Sequence, residues 1–312
     1  MKQKQFVSCV VYLHNDEKQI TDFLKRLYAV LEANFEKYEM ICVDDASDDT
    51  TVAKLQEFVN SVDPSAPISL VSMSYYQGGE AAMNAGRDFA VGDFVYEFDS
   101  VLMDYEESLI MELYQKTLEG FDIVSATPKN NIALSSRMFY FFYNLANKSK
   151  YKLKQERFRI ISRRAINRVN QMNAYVPYRK AMYVNCGLQM ASVPYMSNAK
   201  IKENRSNLEK SSRSDLAFDS FIIFTNILEK VSLGLCMFFL LVMIVMAVYV
   251  VYSLFGTVRP VEGWMSTIGL MSFGFFGLFS LMTLVLKYLS VIINLIFKKQ
   301  RYVISGVEKL TK

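Results

Sequence analysis

The chain has 312 residues, 52% of them hydrophobic and 21% charged, and a mean hydropathy of +0.13 that is high for a protein dissolved in water. A net charge of +4 is too mild to imply a nucleic-acid partner. Cys9, Cys42, Cys186 and Cys236 show no CxxC spacing and read as reduced packing residues rather than a disulfide frame or a metal knuckle. Residues 1–5 lead directly into the first apolar run, so no cleavable leader is expected, and no internal repeat or low-complexity tract is visible.

Five short apolar runs, at 6–13, 38–43, 68–73, 94–98 and 121–126, have the pattern of strands buried on both faces, and helical periodicity separates most of them, as in 18–33 and 51–62. The alternation predicts an α/β domain with a mostly parallel sheet and helices on both faces. No GxGxxG follows the first run, which ends in Tyr12-Leu13-His14-Asn15-Asp16-Glu17, so a dinucleotide-binding site is not expected. The second run breaks into Asp44-Asp45-Ala46-Ser47-Asp48-Asp49-Thr50-Thr51. Open α/β sheets bind ligands beyond the carboxyl ends of their strands, where an acid can accept hydrogen bonds from a base or a ribose. Ser47 and Asp48 suit the start of the next helix equally well, and both roles stay open. Glu97 and Asp99 stand two apart at the end of the fourth run, hence on one face, with Asp104 nearby.

The C-terminal quarter changes character. Residues 231–258 and 263–286 contain no charge, and each run exceeds the roughly 20 apolar residues that cross a bilayer. Two transmembrane helices are expected, at about 231–257 and 264–296, joined tightly through Arg259-Pro260-Val261-Glu262, with Trp264 at interfacial depth. Lys200, Lys202, Arg205, Lys210, Arg213 and Lys230 precede the hairpin and Lys298, Lys299 and Arg301 follow it, against Arg259 alone in the turn. The positive-inside rule then makes this a multi-pass protein of the cell (inner or plasma) membrane with both termini and the large domain cytoplasmic, the basic flanks lying near anionic headgroups. The alternative is a hairpin buried in a large soluble core. Residues 208–228 are amphipathic and suit either the membrane interface or a helix packed on the domain. The division is therefore a cytosolic domain over 1–207, an interfacial helix over 208–229, membrane helices within 230–297 and a cytosolic tail over 298–312. Gly269, Gly274 and Gly277 permit close helix contact within the hairpin or between protomers, which leaves a homo-oligomer open.

In order and spacing these segments resemble the polyisoprenyl-phosphate glycosyltransferases of the family 2 inverting type, which include dolichol-phosphate mannose synthases and undecaprenyl-phosphate sugar transferases. Residues 10–17 stand where that family has VVPVYNEE, 43–51 where it has VDDGSTDGT, and Gly78-Gly79-Glu80-Ala81-Ala82 looks like GKEAA. Phe158-Arg159-Ile160-Ile161-Ser162-Arg163-Arg164 is similar to FRLLSRR, Val193-Pro194-Tyr195 to a later VPY strand, and residues 299–304 to RPRYII. The resemblance implies a GT-A-like, Rossmann-related fold followed by the two-helix hairpin. It also implies a nucleotide-sugar donor, most often a UDP-sugar, a polyprenyl phosphate acceptor in the membrane, and a Mg²⁺ or Mn²⁺ cofactor. Carried over by position, Tyr12, Asn15, Glu17, Asp44, Asp45 and Ser47 line the nucleotide pocket, and Asp99 faces the diphosphate and its metal. Ser136, Arg137, Arg159 and Arg179 are candidates for the acceptor phosphate, since a guanidinium fork pairs with phosphate oxygens. Arg163 and Arg164 read as ordinary surface cations, and His14 as a packing neighbour of the nucleotide.

The departures from the family pattern cluster where catalysis is expected. DADLQD becomes Asp99-Ser100-Val101-Leu102-Met103-Asp104, which removes two oxygen donors of a kind that a hard divalent cation prefers. Glu97 and Asp99, with Asp104, are the substitute acids. The lysine of GKE is Gly79, the arginine of RNFGKE is Tyr75, and the acid before FRL is Arg157. Two function classes follow. One is a membrane-anchored inverting glycosyltransferase serving cell-surface polysaccharide, with basic residues taking part of the cation's role. The other is a catalytically silent relative kept as a binding or scaffold subunit of a polysaccharide-assembly complex. A transporter is a weaker third, because two uncharged helices offer no polar pathway.

Overall fold

The structure is a computed structural model that describes residues 2–130, 137, 140, 141, 143–145, 151–172, 178–198, 234, 237, 263–297 and 302–311, with part of the side chains of 264–297 outside the description. The chain divides into two units, Met1–Ser220 with Gln300–Lys312, and Phe221–Lys299.

In the first unit, β1 (Gln3–Leu13), β2 (Phe35–Asp44), β3 (Ile68–Met73), β4 (Phe94–Phe98), β5 (Ile123–Pro128), β6 (Phe158–Ser162), β7 (Met190–Tyr195) and β8 (Ile304–Lys309) form one sheet in the order β7-β5-β6-β4-β1-β2-β3-β8. The centre, β4-β1-β2-β3, is parallel throughout, so its strands deliver their carboxyl ends to one edge. β6 runs antiparallel to both β4 and β5, and β8 antiparallel to β3. The helices of this unit are α1 (Ile20–Asn34), α2 (Thr51–Ser61), α3 (Gly79–Phe89), α4 (Ser108–Leu118), α5 (Arg163–Gln171) and α6 (Arg179–Asn185).

Hydrophobic periodicity explains how the helices dock. α1 buries Ile20, Phe23, Leu24, Leu27, Val30 and Leu31, a spacing that keeps one stripe against the sheet. α3 comes closer than a side chain would allow. A Cβ on Gly86 would sit 2.3 Å from Val10 Cγ1 and 2.6 Å from Val43 Cγ2, so glycine there sets the height of α3 over the tips of β1 and β2.

The expected α/β domain with a mostly parallel sheet is present, and the third and fourth strands coincide with the expected 68–73 and 94–98. The fifth begins two residues later than the expected 121, at Ile123. β6 and β8 carry no clear strand signal of their own: Arg159 interrupts the apolar run of one, and the other, Ile-Ser-Gly-Val-Glu-Lys, is half polar. The residues set apart in the sequence as a tail thus supply the sheet's edge strand.

In the second unit, α7 (Trp264–Phe297) is one continuous helix of 34 residues over the second expected span. The first, 231–257, lies outside the described residues apart from Gly234 and Met237. Among the described residues, no helix is long and apolar enough to cross a membrane. The expected two-helix hairpin is therefore not part of the described fold.

Candidate active site

The tips of β1 and β2 are lashed together by the residues that the sequence singles out. Asn15 and Ala46 both take left-handed backbone, with φ of 54° and 52°, which turns the two loops toward each other. The Asn15 amide donates to Ser47 Oγ at 3.1 Å, and the Asp48 amide donates to Asn15 Oδ1 at 2.9 Å. Glu17 accepts from the Thr50 hydroxyl at 2.7 Å, and its amide donates to Asp49 at 3.2 Å. His14 Nδ1 lies 2.8 Å from the Asp45 carbonyl, and its ring packs against Tyr76 with centroids 4.6 Å apart. Asn15, Glu17, Asp44, Asp45 and Ser47 are therefore brought together, above Tyr12.

The two acids of that tip differ. Asp45 is fully buried and accepts from the amides of Gln77 and Gly78, at 2.8 Å each, and from the Tyr12 hydroxyl at 3.2 Å. Tyr12 is itself buried beneath Gly79. Asp45 thus fastens the β3–α3 loop to the sheet. Asp44 is held more loosely, by the Ser47 amide at 3.4 Å from each carboxylate oxygen. Burial pushes both acids above the ordinary carboxylate range, opposed at Asp45 by the two amides and at Asp44 by Ser47.

β4 lies beside β1 on the side away from β2, so the tips of β2 and β4 are separated by the width of one strand, roughly 10 Å between their axes. At the end of β4, Glu97 faces Arg159 across the antiparallel β6. Arg159, with no exposed side chain, reaches Glu97 Oε2 at 2.6 Å, Asp99 Oδ2 at 2.7 Å and Glu156 at 2.9 Å. Arg179, at the start of α6, reaches Glu80 at 2.9 Å, Glu97 Oε2 at 2.8 Å and Asp99 Oδ1 at 2.6 Å. The Tyr183 hydroxyl donates to Glu97 Oε1 at 2.7 Å and accepts from Arg87 at 3.0 Å, while Arg159 lies over the Tyr183 ring at 5.6 Å. Burial alone would raise both acids. The guanidiniums of Arg179, Arg159 and Arg87 at Glu97, and of Arg159 and Arg179 with the Lys180 ammonium at Asp99, outweigh it and hold both below the ordinary carboxylate range.

Asp104 takes another part. It accepts from Arg157 Nε at 3.1 Å and Nη2 at 2.8 Å, from the Tyr195 hydroxyl at 3.0 Å and from Ser197 Oγ at 2.6 Å. It therefore ties the loop after β4 to the ends of β6 and β7. Between Asp99 and Asp104, Val101 and Met103 are buried members of the hydrophobic core. Among the described residues, no group of three or more His, Cys, Asp or Glu side chains is arranged to hold a metal. Every carboxylate oxygen of Glu97 and Asp99 is already matched to a guanidinium or a hydroxyl. The donor set of Glu97, Asp99 and Asp104 does not fit a Mg²⁺ or Mn²⁺ ion, which needs converging, uncommitted oxygens.

Of the expected acceptor residues, Arg159 and Arg179 are together but turned to carboxylates, Arg137 is exposed on a helical turn, and Ser136 lies outside the described residues. Arg163 donates to the Ala90 and Gly92 carbonyls and Arg164 pairs with Asp122, both structural roles. Sequence reasoning missed Lys180, Glu80, Tyr183 and Arg87 as members of the charge cluster. The available signal was an arginine inside the apolar run of β6, which demands a buried acid in register.

The family described as Glycosyl transferase family 2 matches residues 8–169. A relative described as an uncharacterized glycosyltransferase, from Synechocystis sp., is 30% identical over 193 residues, covering 60% of this chain and 59% of that protein. An undecaprenyl-phosphate 4-deoxy-4-formamido-L-arabinose transferase of Pseudomonas fluorescens is 32% identical over 124 residues, covering 40% of this chain and 36% of that protein. The chain thus spans at most about three fifths of these curated relatives. Among solved structures, glucosyl-3-phosphoglycerate synthase from Mycobacterium tuberculosis, in complex with Mn²⁺, UDP-glucose and phosphoglyceric acid, has a TM-score of 0.54 at 15% identity, covering 70% of this chain and 79% of that one. At that identity the likeness is one of fold, the GT-A-like α/β arrangement.

Proposed function

The chain belongs to glycosyl transferase family 2, and from that premise we propose that it is a glycosyltransferase that moves a sugar from a UDP-sugar to a polyprenyl phosphate of the undecaprenyl phosphate kind at the membrane face. The donor class is supported by the solved neighbours that hold UDP or UDP-glucose, and the acceptor class by relatives named for undecaprenyl phosphate.

The observation that carries the reading is the lashed β1–β2 tip of the first unit, and the second unit adds an apolar helix. α7 has Lys287 as its one charged residue, and Met271, Leu278, Met282, Val285, Leu286 and Leu289 on it are exposed. A stripe of that kind suits lipid rather than water. Membrane anchoring, with the catalytic domain cytoplasmic, follows as part of the proposal.

The chemistry asks mainly for alignment. A prenyl monophosphate is already anionic, so its oxygen attacks the anomeric carbon without a dedicated base. A new C–O bond forms as the bond to the diphosphate breaks, UDP departs with the electron pair, and the configuration inverts. Alignment of this kind is worth up to about 7–11 kcal/mol. In this chain the β1–β2 tip holds the nucleoside end, and the cluster around Glu97 and Asp99 fixes the charge beside the diphosphate. Solved neighbours hold Mn²⁺ with UDP, but the acid pair here does not fit a divalent ion, so no step is assigned to one.

The test incubates purified full-length protein with undecaprenyl phosphate and a panel of labelled UDP-sugars and scores lipid-extractable label. Label from one sugar is expected. Nucleotide binding without label from any sugar supports the binding-subunit alternative, and no nucleotide binding refutes the donor reading.

A further inference from the structure

We propose that Arg159, Arg179 and Lys180 do the neutralising work of a divalent cation at the end of β4, so that the donor's diphosphate is bound without metal. The inference rests on the UDP-sugar reading above and deepens it.

The charges balance within the site. Arg87, Arg159, Arg179 and Lys180 stand against Glu80, Glu97, Asp99 and Glu156, with the ion pairs of Arg159 and Arg179 between 2.6 and 2.9 Å. Two acids and a divalent ion would reach the same neutrality. Here guanidiniums supply it permanently, because arginine does not lose its proton in a protein. A metal ion would have to displace a guanidinium from a buried carboxylate; Val101 and Met103 are packed in the core, and the Ser100 hydroxyl already accepts from the Leu102 amide at 3.1 Å.

The cluster opens toward solvent at Glu80, Asp99 and Lys180. Asp99 keeps 13% of its side chain exposed and Lys180 keeps 11%, whereas Arg159 and Glu97 keep none. The Lys180 ammonium lies 3.8 Å from Asp99 Oδ2, at the rim where an arriving diphosphate first meets the cluster. Arg179 Nη1 touches Glu97 Oε2 at 2.8 Å as an ion pair, yet it is buried without hydrogen-bond geometry to any described partner. A buried guanidinium nitrogen with donor capacity to spare is costly unless something else accepts from it, and a phosphate oxygen is a suitable acceptor.

The experiment measures the affinity of the full-length protein for UDP and for uridine by titration calorimetry, once with excess EDTA and once with Mn²⁺. The expected UDP affinities differ by less than about twofold between the two conditions. Lys180→Ala is expected to weaken UDP about tenfold and uridine less than about twofold, since only UDP carries the phosphates. A general structural defect would weaken both. UDP binding that requires Mn²⁺, or that tightens more than about tenfold with it, overturns the inference and leaves the donor reading standing. So does a Lys180→Ala variant that loses both probes equally or neither. Absence of nucleotide binding in both conditions refutes the donor reading, and the inference falls with it.

Discussion

Replacing Arg159 by methionine removes one guanidinium from between three acids while keeping most of the apolar stem. Arg159 holds Glu97 at 2.6 Å, Asp99 at 2.7 Å and Glu156 at 2.9 Å, and neither it nor Glu97 has any exposed side chain. Breaking a buried pair from one side costs about 3–5 kcal/mol, because the stranded charge stays out of water. For a unit of this size each kcal/mol moves Tm by about 2–4 °C, so Arg159→Met is expected to melt about 6–20 °C lower, read by far-UV circular dichroism. The double variant Arg159→Met/Glu97→Gln removes part of the stranded charge and should recover at least about 1 kcal/mol. The pH dependence has a definite sign. Glu97 and Asp99 are held below their ordinary values when folded, so their stabilisation is present above the unfolded value, about 4, and is lost as pH falls below it. The deficit of Arg159→Met should therefore shrink as the solution is acidified. A deficit under about 1 kcal/mol near pH 7, or one that does not change on acidification, would refute the account of the cluster as a buried ion network.

Other perturbations separate architecture from chemistry. Asp104→Asn weakens the tie to Arg157, Tyr195 and Ser197 and should cost about 1.5–3 kcal/mol in a denaturant melt, with UDP affinity unchanged; a selective loss of UDP binding would return Asp104 to the site. Gly86→Ala forces a methyl against Val10 and Val43 and should destabilise by about 1–3 kcal/mol. Gly79→Ala places its methyl 3.6 Å from the Tyr12 ring, an ordinary contact, and should be neutral or stabilising by about 0.4–1 kcal/mol; equal losses at the two glycines would contradict the packing described for α3. Gln77 clasps Val303 through both ends of its amide, at 2.8 and 2.6 Å, while its own backbone amide serves Asp45. Gln77→Ala should cost about 1–3 kcal/mol and speed hydrogen exchange across β8, and unchanged exchange there would mean that the clasp does not hold the tail strand.

The fold was legible because its centre is made of strands buried on both faces, whose composition alone separates them from the helices between. Residues 68–73 and 94–98 needed no tertiary information. The gathering of Asp44, Asp45 and Ser47 at one edge was equally plain, since a strand that ends in Asp44 with Ser47 behind it can aim those groups only at the carboxyl edge of a parallel sheet. The edge strand β8 was not, because it takes its place from Thr311, Val303 and the open edge of β3, contacts that span most of the chain. The roles of Asp44 and Asp45 were also inseparable in the sequence. Which acid is consumed by the Gln77 and Gly78 amides depends on how the β3–α3 loop folds back over Asp45 and the Tyr12 hydroxyl.

The chemistry at the end of β4 shows why single departures from a pattern mislead when counted one at a time. Val101 and Met103 in place of oxygen donors, and Arg157 in place of an acid, look like three independent losses. In the folded chain they form one change. The apolar pair draws the loop after β4 into the core, and Arg157 supplies the cation that lets Asp104 be buried against Tyr195 and Ser197. Asp99 is left at the rim with Arg159, Arg179 and Lys180 around it. The loop presents no acid pair to a metal, only a carboxylate already neutralised by the protein. Restoring an acid by Val101→Asp alone would bury a charge without a partner, at a cost of several kcal/mol. Re-creating a metal site would therefore require changing the arginines together with the loop.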